Sequence, residues 1–360
     1  MKILYVITRS DWGGAQAHLF DVIEGMKNSN INCEVVVGEK GEFYDRVEKL
    51  GVKVHFLESL IHPINFSKDL TAIKELRILI KQIQPDIVHC HSSKAGIIGR
   101  IAAWKERIPS VFTAHGWAFT DGVSIKRKII GIVIETLVAK LTKKVICVSH
   151  YDRNLALKYK VSSTEKLIVI HNGVKDTEIK KTSNQKKDFV ITMVARFAHP
   201  KDQFSLIYAL REVDNVTVNF VGDGPQLQKA VDYAIEIGVS NKCKFLGMRK
   251  DVDQILSNSD CFILLSKYEG LPLSIIEAMR FGLPIIASDV GGVKELVVDG
   301  YNGFLISDNG EIASKIKYLI DNPTNELGQN SRLLYEKNFN SKAMLEKIQV
   351  IYKDIIKLLE

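Results

Sequence analysis

Short apolar runs alternate with longer amphipathic stretches along nearly the whole chain. KILYVIT, CEVVVG, KVHFL, DIVHCH, SVFTAH and KKVICVSH in the first half read as strands, as do FVITMVARF, NVTVNFVG, KCKFLG, CFILLS and PIIASD in the second. Residues 15–29, 42–51, 67–84 and 94–107 read as helices. Strands that alternate with helices predict parallel sheets with helices on both faces. The rhythm is interrupted once, at VKDTEIKKTSNQKKD (residues 174–188), which is polar, lysine-rich and without an apolar period. This stretch is expected to link a first domain, residues 1–175, to a second, residues 176–340. Residues 341–360 form a last helix with Met344, Leu345, Ile348, Ile351, Tyr352, Ile355 and Leu358 on one face, which needs a groove to cover it.

Composition adds limits. The 360 residues suit two domains, and 46% hydrophobic with 25% charged residues is a globular balance. No apolar run reaches the ~18 residues of a spanning helix. MKILYVITRS runs straight into a strand pattern, so no secretion signal is read there. The five cysteines are scattered and lie mostly in apolar runs. They are expected to be reduced and buried in a cytoplasmic protein. The net charge of +7 is uneven: residues 1–175 hold 26 basic against 17 acidic side chains, the remainder 23 against 25. The first half therefore suits an anionic partner.

Candidate chemistry follows the predicted strands, at the edge where ligands of such sheets bind. Gly13 and Gly14 after the first strand open a helix, where free N–H groups attract phosphate. Arg196 and Lys201 leave a strand five residues apart and can both reach a diphosphate. Glu269 and Glu277 flank a turn and a helix start eight residues apart. Between them Gly270, Leu271 and Pro272 shape a loop, and the N–H groups of Leu273 and Ser274 can face phosphate. Glu277 has a second reading, as the far end of a capping box begun by Ser274. His115 ends a strand beside a glycine, where it can donate to phosphate or to a sugar hydroxyl, or serve structure alone.

Two signals are set aside. Asp251-Val-Asp253 matches a DxD metal pattern, but Asp251 is expected to cap the helix that follows. His89 and His91 share one strand face while Cys90 points away, a poor chelate. No metal site is read, although His91 can still line a cleft.

Taken together, these motifs resemble the retaining family 4 glycosyltransferases, also called group 1, of bacterial surface-polysaccharide type. Glu269-Gly-Leu-Pro-Leu-Ser-Ile-Ile-Glu277 matches their E-x7-E signature, Arg196 and Lys201 their paired cations, and Gly13-Gly14 their glycine loop. Val221-Gly222-Asp-Gly-Pro225 and His171-Asn-Gly-Val174 are similar to further recurring segments. The resemblance implies a GT-B α/β fold, two doubly wound Rossmann-like domains facing across a cleft, with the last helix packed back on the first domain. It implies that Arg196 and Lys201 neutralise a nucleotide diphosphate, assisted by Gly14, that Glu277 holds the ribose, and that Glu269 holds the donor sugar. The base would lie near Leu246, Gly247 and Arg249, with His115 beside the sugar. The activity implied is metal-independent, cofactor-free retaining transfer from a UDP-sugar to a glycan, in capsule, exopolysaccharide or lipopolysaccharide synthesis. The basic stretch 124–144 suits either an anionic membrane surface or a core helix with charged ends. A lipid-linked acceptor at the inner face of the cell membrane is expected; a nucleic-acid partner is not. A nucleotide-sugar epimerase, a sugar phosphorylase and a noncatalytic nucleotide-sugar-binding subunit are the rival functions.

Overall fold

A computed structural model describes residues 1–62, 65–178, 188–323 and 326–358. Of the expected linker, residues 179–187 lie outside the described residues. The chain divides into two compact units, Met1–Lys175 with Ser341–Glu360, and Asp176–Asn340.

The elements of the first half are β1 (Lys2–Ile7), α1 (Gly14–Asn28), β2 (Asn32–Val37), α2 (Glu42–Lys49), β3 (Lys53–Phe56), α3 (Phe66–Ile83), β4 (Ile87–His91), α4 (Ser93–Lys105), β5 (Ser110–Ala114), α5 (Ile125–Ala139), β6 (Lys144–Cys147), α6 (His150–Lys158) and β7 (Leu167–Val169). Those of the second are β8 (Phe189–Val194), α7 (Gln203–Ala209), β9 (Val216–Val221), α8 (Leu227–Glu236), β10 (Cys243–Gly247), α9 (Val252–Ser257), β11 (Cys261–Leu264), α10 (Leu273–Arg280), β12 (Ile285–Ser288), β13 (Gly303–Ile306), α11 (Ile312–Asp321) and α12 (Glu326–Leu334). Helix α13 (Ser341–Lys357) ends the described chain.

In the first unit the described strands form one parallel sheet in the order β3-β2-β1-β4-β5-β6-β7. Successive strand residues point to opposite faces, and each face is apolar. Leu4, Val6, Val88, Cys90 and Phe112 meet Leu76 and Ile80 of α3 and Ile98 and Ala102 of α4. Ile3, Tyr5, Ile7, Val35 and Val111 meet Leu19 and Ile23 of α1, Phe43 of α2, and Met344, Ile348, Ile351, Tyr352 and Ile355 of α13. The apolar stripe of the last helix is thus packed in the core of this unit from Met344 to Ile355, whereas Leu358, just past the helix end, is exposed and takes no part.

In the second unit the order is β10-β9-β8-β11-β12-β13, again parallel. Ile191, Met193, Val218, Phe220, Phe262 and Ile286 are buried in it, with Ile275, Ile276 and Met279 of α10. Asp202 caps α7 by accepting from Ser205 N at 3.1 Å, which starts that helix directly after Lys201. Four of the five cysteines are buried, and all five are free.

Candidate active site

In the second unit the strand order reverses between β8 and β11, so a crevice opens at their C-terminal edges. The loop after β8 and the loop after β11 are zipped together there. Asp202 N donates to Leu265 O and Lys267 N to Pro200 O, both at 2.9 Å, and Lys201 forms an antiparallel bridge with Ser266. This backbone pairing brings together two residues 68 positions apart: Lys201 Nζ donates to Glu269 Oε1. Both side chains are mostly covered, at 19% and 12% exposure, so little water screens the pair. Arg196 stands exposed on the same loop, its carbonyl held by Gln203 Nε2 at 3.1 Å. Gly222 lets β9 end against this loop. Its φ is +139°, and a Cβ there would lie 2.2 Å from Ala195 O.

The loop carrying Glu269 is fixed from below. Gly292 N donates to Gly270 O at 3.0 Å, and a Cβ on Gly291, whose φ is +54°, would lie 1.9 Å from Glu269 O. Leu271 and Pro272 are buried, and α10 begins immediately after them. The expected capping box does not form. Pro272 is the N-cap, with no side-chain cap, so Ser274 already lies inside the first turn. The N–H groups of that turn have no intrahelical acceptor and carry the positive end of the helix dipole. Glu277 lies one turn further on, half-buried. Burial raises its carboxyl above the usual carboxylate range; Arg280 opposes that shift and Asp253 adds to it. Arg280 is itself buried and pairs with Asp253.

Leu246 and Gly247 end β10 beside Gly222, whose N–H donates to Gly247 O at 2.8 Å. Arg249 makes a two-pronged contact with Asp251, at 2.8 and 2.6 Å. Asp251 occupies the N-cap of α9 as its sequence suggested, but its side chain makes no cap bond. The guanidinium has recruited the carboxylate that would have capped the helix.

The first unit has its own switch point, between β1 and β4. Gly13 is the N-cap of α1 and Gly14 its first residue; the first turn holds no acidic side chain. At the C-terminal ends of β4 and β5 lies a histidine cluster. His91 Nδ1 and His115 Nε2 share a hydrogen bond at 3.0 Å. The ring of His18, from α1, stands edge-on to His115 with centroids 4.9 Å apart. One nitrogen of each ring lies within 4.8 Å of the others, so His18, His91 and His115 form a set, among the described residues, that could ligate a metal ion. Behind them His89 bridges Tyr352 Oη at 2.5 Å and Thr113 Oγ1 at 2.8 Å. Burial holds all four imidazoles neutral: His18 is lowered to about 4, His89 to about 3, and His91 and His115 well below the usual range. His91 was seen in the sequence only as a residue that can line a cleft. His18 was not singled out, because one histidine inside an amphipathic helix carries no local signal. Gly291 and Gly292 were missed for the same reason, since their contact is with a loop about 20 residues earlier.

These features match known proteins over nearly the whole chain. Residues 12–178 match the family described as Glycosyltransferase Family 4, and residues 174–354, half of the chain, match Glycosyl transferases group 1. The chain belongs to the group 1, family 4 glycosyltransferases. One relative, the UDP-Gal:alpha-D-GlcNAc-diphosphoundecaprenol alpha-1,3-galactosyltransferase of Escherichia coli, is 32% identical across 99% of this chain and 97% of its own. The lipopolysaccharide 1,6-galactosyltransferase of Salmonella typhimurium is 27% identical across 97% of this chain and all of its own. Among solved structures, Anabaena HepE in complex with UDP and glucose superposes with a TM-score of 0.85 at 23% identity, covering 98% of this chain and all of that one. The glycosyltransferase therefore has the GT-B architecture of two doubly wound units, and it is an enzyme of the hexosyl-transferring class. Within its second unit, Arg196, Lys201, Glu269 and the first turn of α10 converge on one sheet edge.

Proposed function

We propose that this glycosyltransferase moves a hexose from a UDP-sugar to a lipid-linked glycan, with retention of anomeric configuration, in bacterial surface-polysaccharide synthesis. The observation that carries the reading is the Lys201–Glu269 pair at the β8/β11 crevice, flanked by Arg196 and the N-terminus of α10. One cationic side can take a diphosphate and the carboxylate beside it the sugar that the diphosphate carries. The donor and acceptor classes are supported by the E. coli relative, whose name specifies UDP-Gal and a diphosphoundecaprenol-linked sugar, and by HepE with UDP and glucose.

In this reading Arg196 and Lys201 stabilise the charge that develops on the departing UDP, as fixed donors in a partly dry site. Leu273 and Ser274, held by the loop Gly270-Leu271-Pro272, supply backbone N–H groups to the phosphates, and Gly14 adds its own. Glu277 holds the ribose hydroxyls, and Leu246, Gly247 and Arg249 flank the base. Glu269 holds sugar hydroxyls and orients the anomeric carbon, with His115 beside the sugar. The bond from the anomeric carbon to the phosphate oxygen breaks while the acceptor oxygen bonds on the same face. The acceptor's proton passes to the departing phosphate. The cations fill the role of a metal, so the reaction is proposed to need no metal or cofactor. A lipid-linked acceptor would place the enzyme peripherally on the inner face of the cell membrane.

UDP release from a panel of UDP-sugars, with and without a lipid-diphosphate-linked sugar and in the presence of EDTA, tests this. Acceptor-dependent release with an α-linked product from an α-linked donor is expected. Acceptor-independent epimer formation, a requirement for orthophosphate, or loss of activity on chelation would each overturn the corresponding part.

A further inference from the structure

Helix α5 is poorly covered for its composition. Only Glu135, Val138 and Ala139 of its 15 residues are buried, all near its C-terminal end. The side facing the unit rests on Ala118 and Phe119, which Gly131 approaches closely, and on the core through Ile132. The opposite side exposes Ile125 (75%), Ile129 (57%), Ile130 (57%), Val133 (53%) and Leu137 (58%). Ile125, Ile129, Val133 and Leu137 follow one another at intervals of four, so they form a continuous stripe, and Ile130 widens it. Twelve steps of 1.5 Å make this stripe roughly 18 Å long.

The charges around it are of one sign. Lys126 and Arg127 are exposed at its start, Lys140 and Lys143 at its end. Between residues 122 and 144 the only acidic side chain is Glu135, which is buried against Arg100 at 2.7 Å. Asp121, just before, is engaged by Lys128. An aliphatic stripe with basic side chains at both ends is complementary to an anionic lipid surface, where the aliphatics enter the acyl boundary and the long cations reach headgroups. A second copy of the chain fits less well. A strip about 18 Å by 10 Å is far below the roughly 800 Å² that each partner of a stable complex buries, and self-pairing would oppose like charges.

We propose that α5 is the element by which this glycosyltransferase docks on an anionic bilayer, its axis in the plane of the interface. The purpose of the contact rests on the lipid-linked acceptor proposed above; the contact itself is measurable without donor or acceptor. The full chain is sedimented with vesicles of phosphatidylcholine alone and of phosphatidylcholine with phosphatidylglycerol. Binding is expected only to the second, weakening in high salt, where the screening length falls to ~3 Å. Lys126→Ala/Arg127→Ala should lower the partition roughly 25-fold, about fivefold per cation. Ile129→Glu/Val133→Glu should lower it at least as much. Because these side chains are exposed, melting temperatures should not move. Equal binding to both vesicles, or unchanged binding by both variants, overturns the proposal. A concentration-dependent dimer that the Ile129→Glu/Val133→Glu variant loses would assign the stripe to a second copy instead. All variants should keep wild-type turnover on a short-chain, water-soluble acceptor. If wild type shows none, the acceptor reading fails, whatever the vesicles show.

Discussion

Lys201 and Glu269 show how a single contact can serve both fold and chemistry. Each neutralises the other in a place with little water, and the donor reading asks the pair to share a ligand. Arg196, by contrast, is exposed and free to contribute charge to a ligand without holding the fold. The two cations therefore separate experimentally. Arg196→Ala should cost ~10²–10³ in kcat, the scale of one lost preorganised donor, with no change in melting. Lys201→Ala should cost as much in kcat and also ~1–3 kcal/mol of stability, because Glu269 is left covered and unpaired. Steady-state kinetics at saturating donor, with parallel thermal melts, distinguish these outcomes; near wild-type turnover in both variants would remove them from the mechanism. The histidine cluster makes a second claim at this scale. A buried imidazole lowered to about 4 or about 3 stays neutral in the folded state while the unfolded chain protonates near 6.5. The unfolded state then binds more protons, so stability falls as pH drops below about 6.5 and levels off only below the folded values. His18 and His89 should each remove about 1.4 kcal/mol at pH 5.5 relative to pH 7.5. Melts across that range check this, and a His89→Gln variant should flatten the slope. A flat wild-type profile would contradict the burial.

At the scale of elements, the strand rhythm was legible because buried parallel strands are compact apolar runs, and eleven of them are long enough to stand out. The two that escaped are β7, three residues long, and β13, which opens on a glycine. Local signals failed where a distant group overrode them. Asp251 stood at a helix start and Ser274 fitted a capping pattern, yet Arg249 took the first carboxylate and Pro272 took the second position. The E-x7-E spacing could be read directly, but not the support under it, which comes from a separate loop. Gly291 tests that support. Its φ of +54° costs any other residue about 1–3 kcal/mol, and a Cβ would also meet the carbonyl of Glu269. Gly300 has a similar φ of +73° with open space around it, so it supplies the control. Both alanine variants should lose stability, but only Gly291→Ala should also lose at least tenfold in kcat/KM, through displacement of Glu269. Equal activity in the two would mean that the Glu269 loop is not held from this side.

At the scale of the whole molecule, each unit carries a strand-order reversal, and the side chains placed at the two reversals differ in kind. The second unit offers cations, carboxylates and a helix N-terminus; the first offers neutral imidazoles and a glycine-opened helix, α1. That division predicts where a nucleotide leaves its mark. A ligand at a hundred times its Kd stabilises the state that binds it by about 2.7 kcal/mol, and it slows hydrogen exchange most where it touches backbone. UDP should therefore protect the segments around residues 196–201, 246–249 and 269–277, with a smaller effect at 13–14 if Gly14 N–H reaches the diphosphate as proposed. Hydrogen-exchange mass spectrometry with UDP, with orthophosphate, and without ligand measures this directly. Protection that orthophosphate reproduces in full would reduce the crevice to a general anion site. Protection confined to the first unit would reverse the assignment of donor and acceptor sides. The neutral histidines make the second outcome worth measuring, since a cluster held uncharged by burial is poorly suited to attract a diphosphate and better suited to hydrogen-bond the hydroxyls of a sugar.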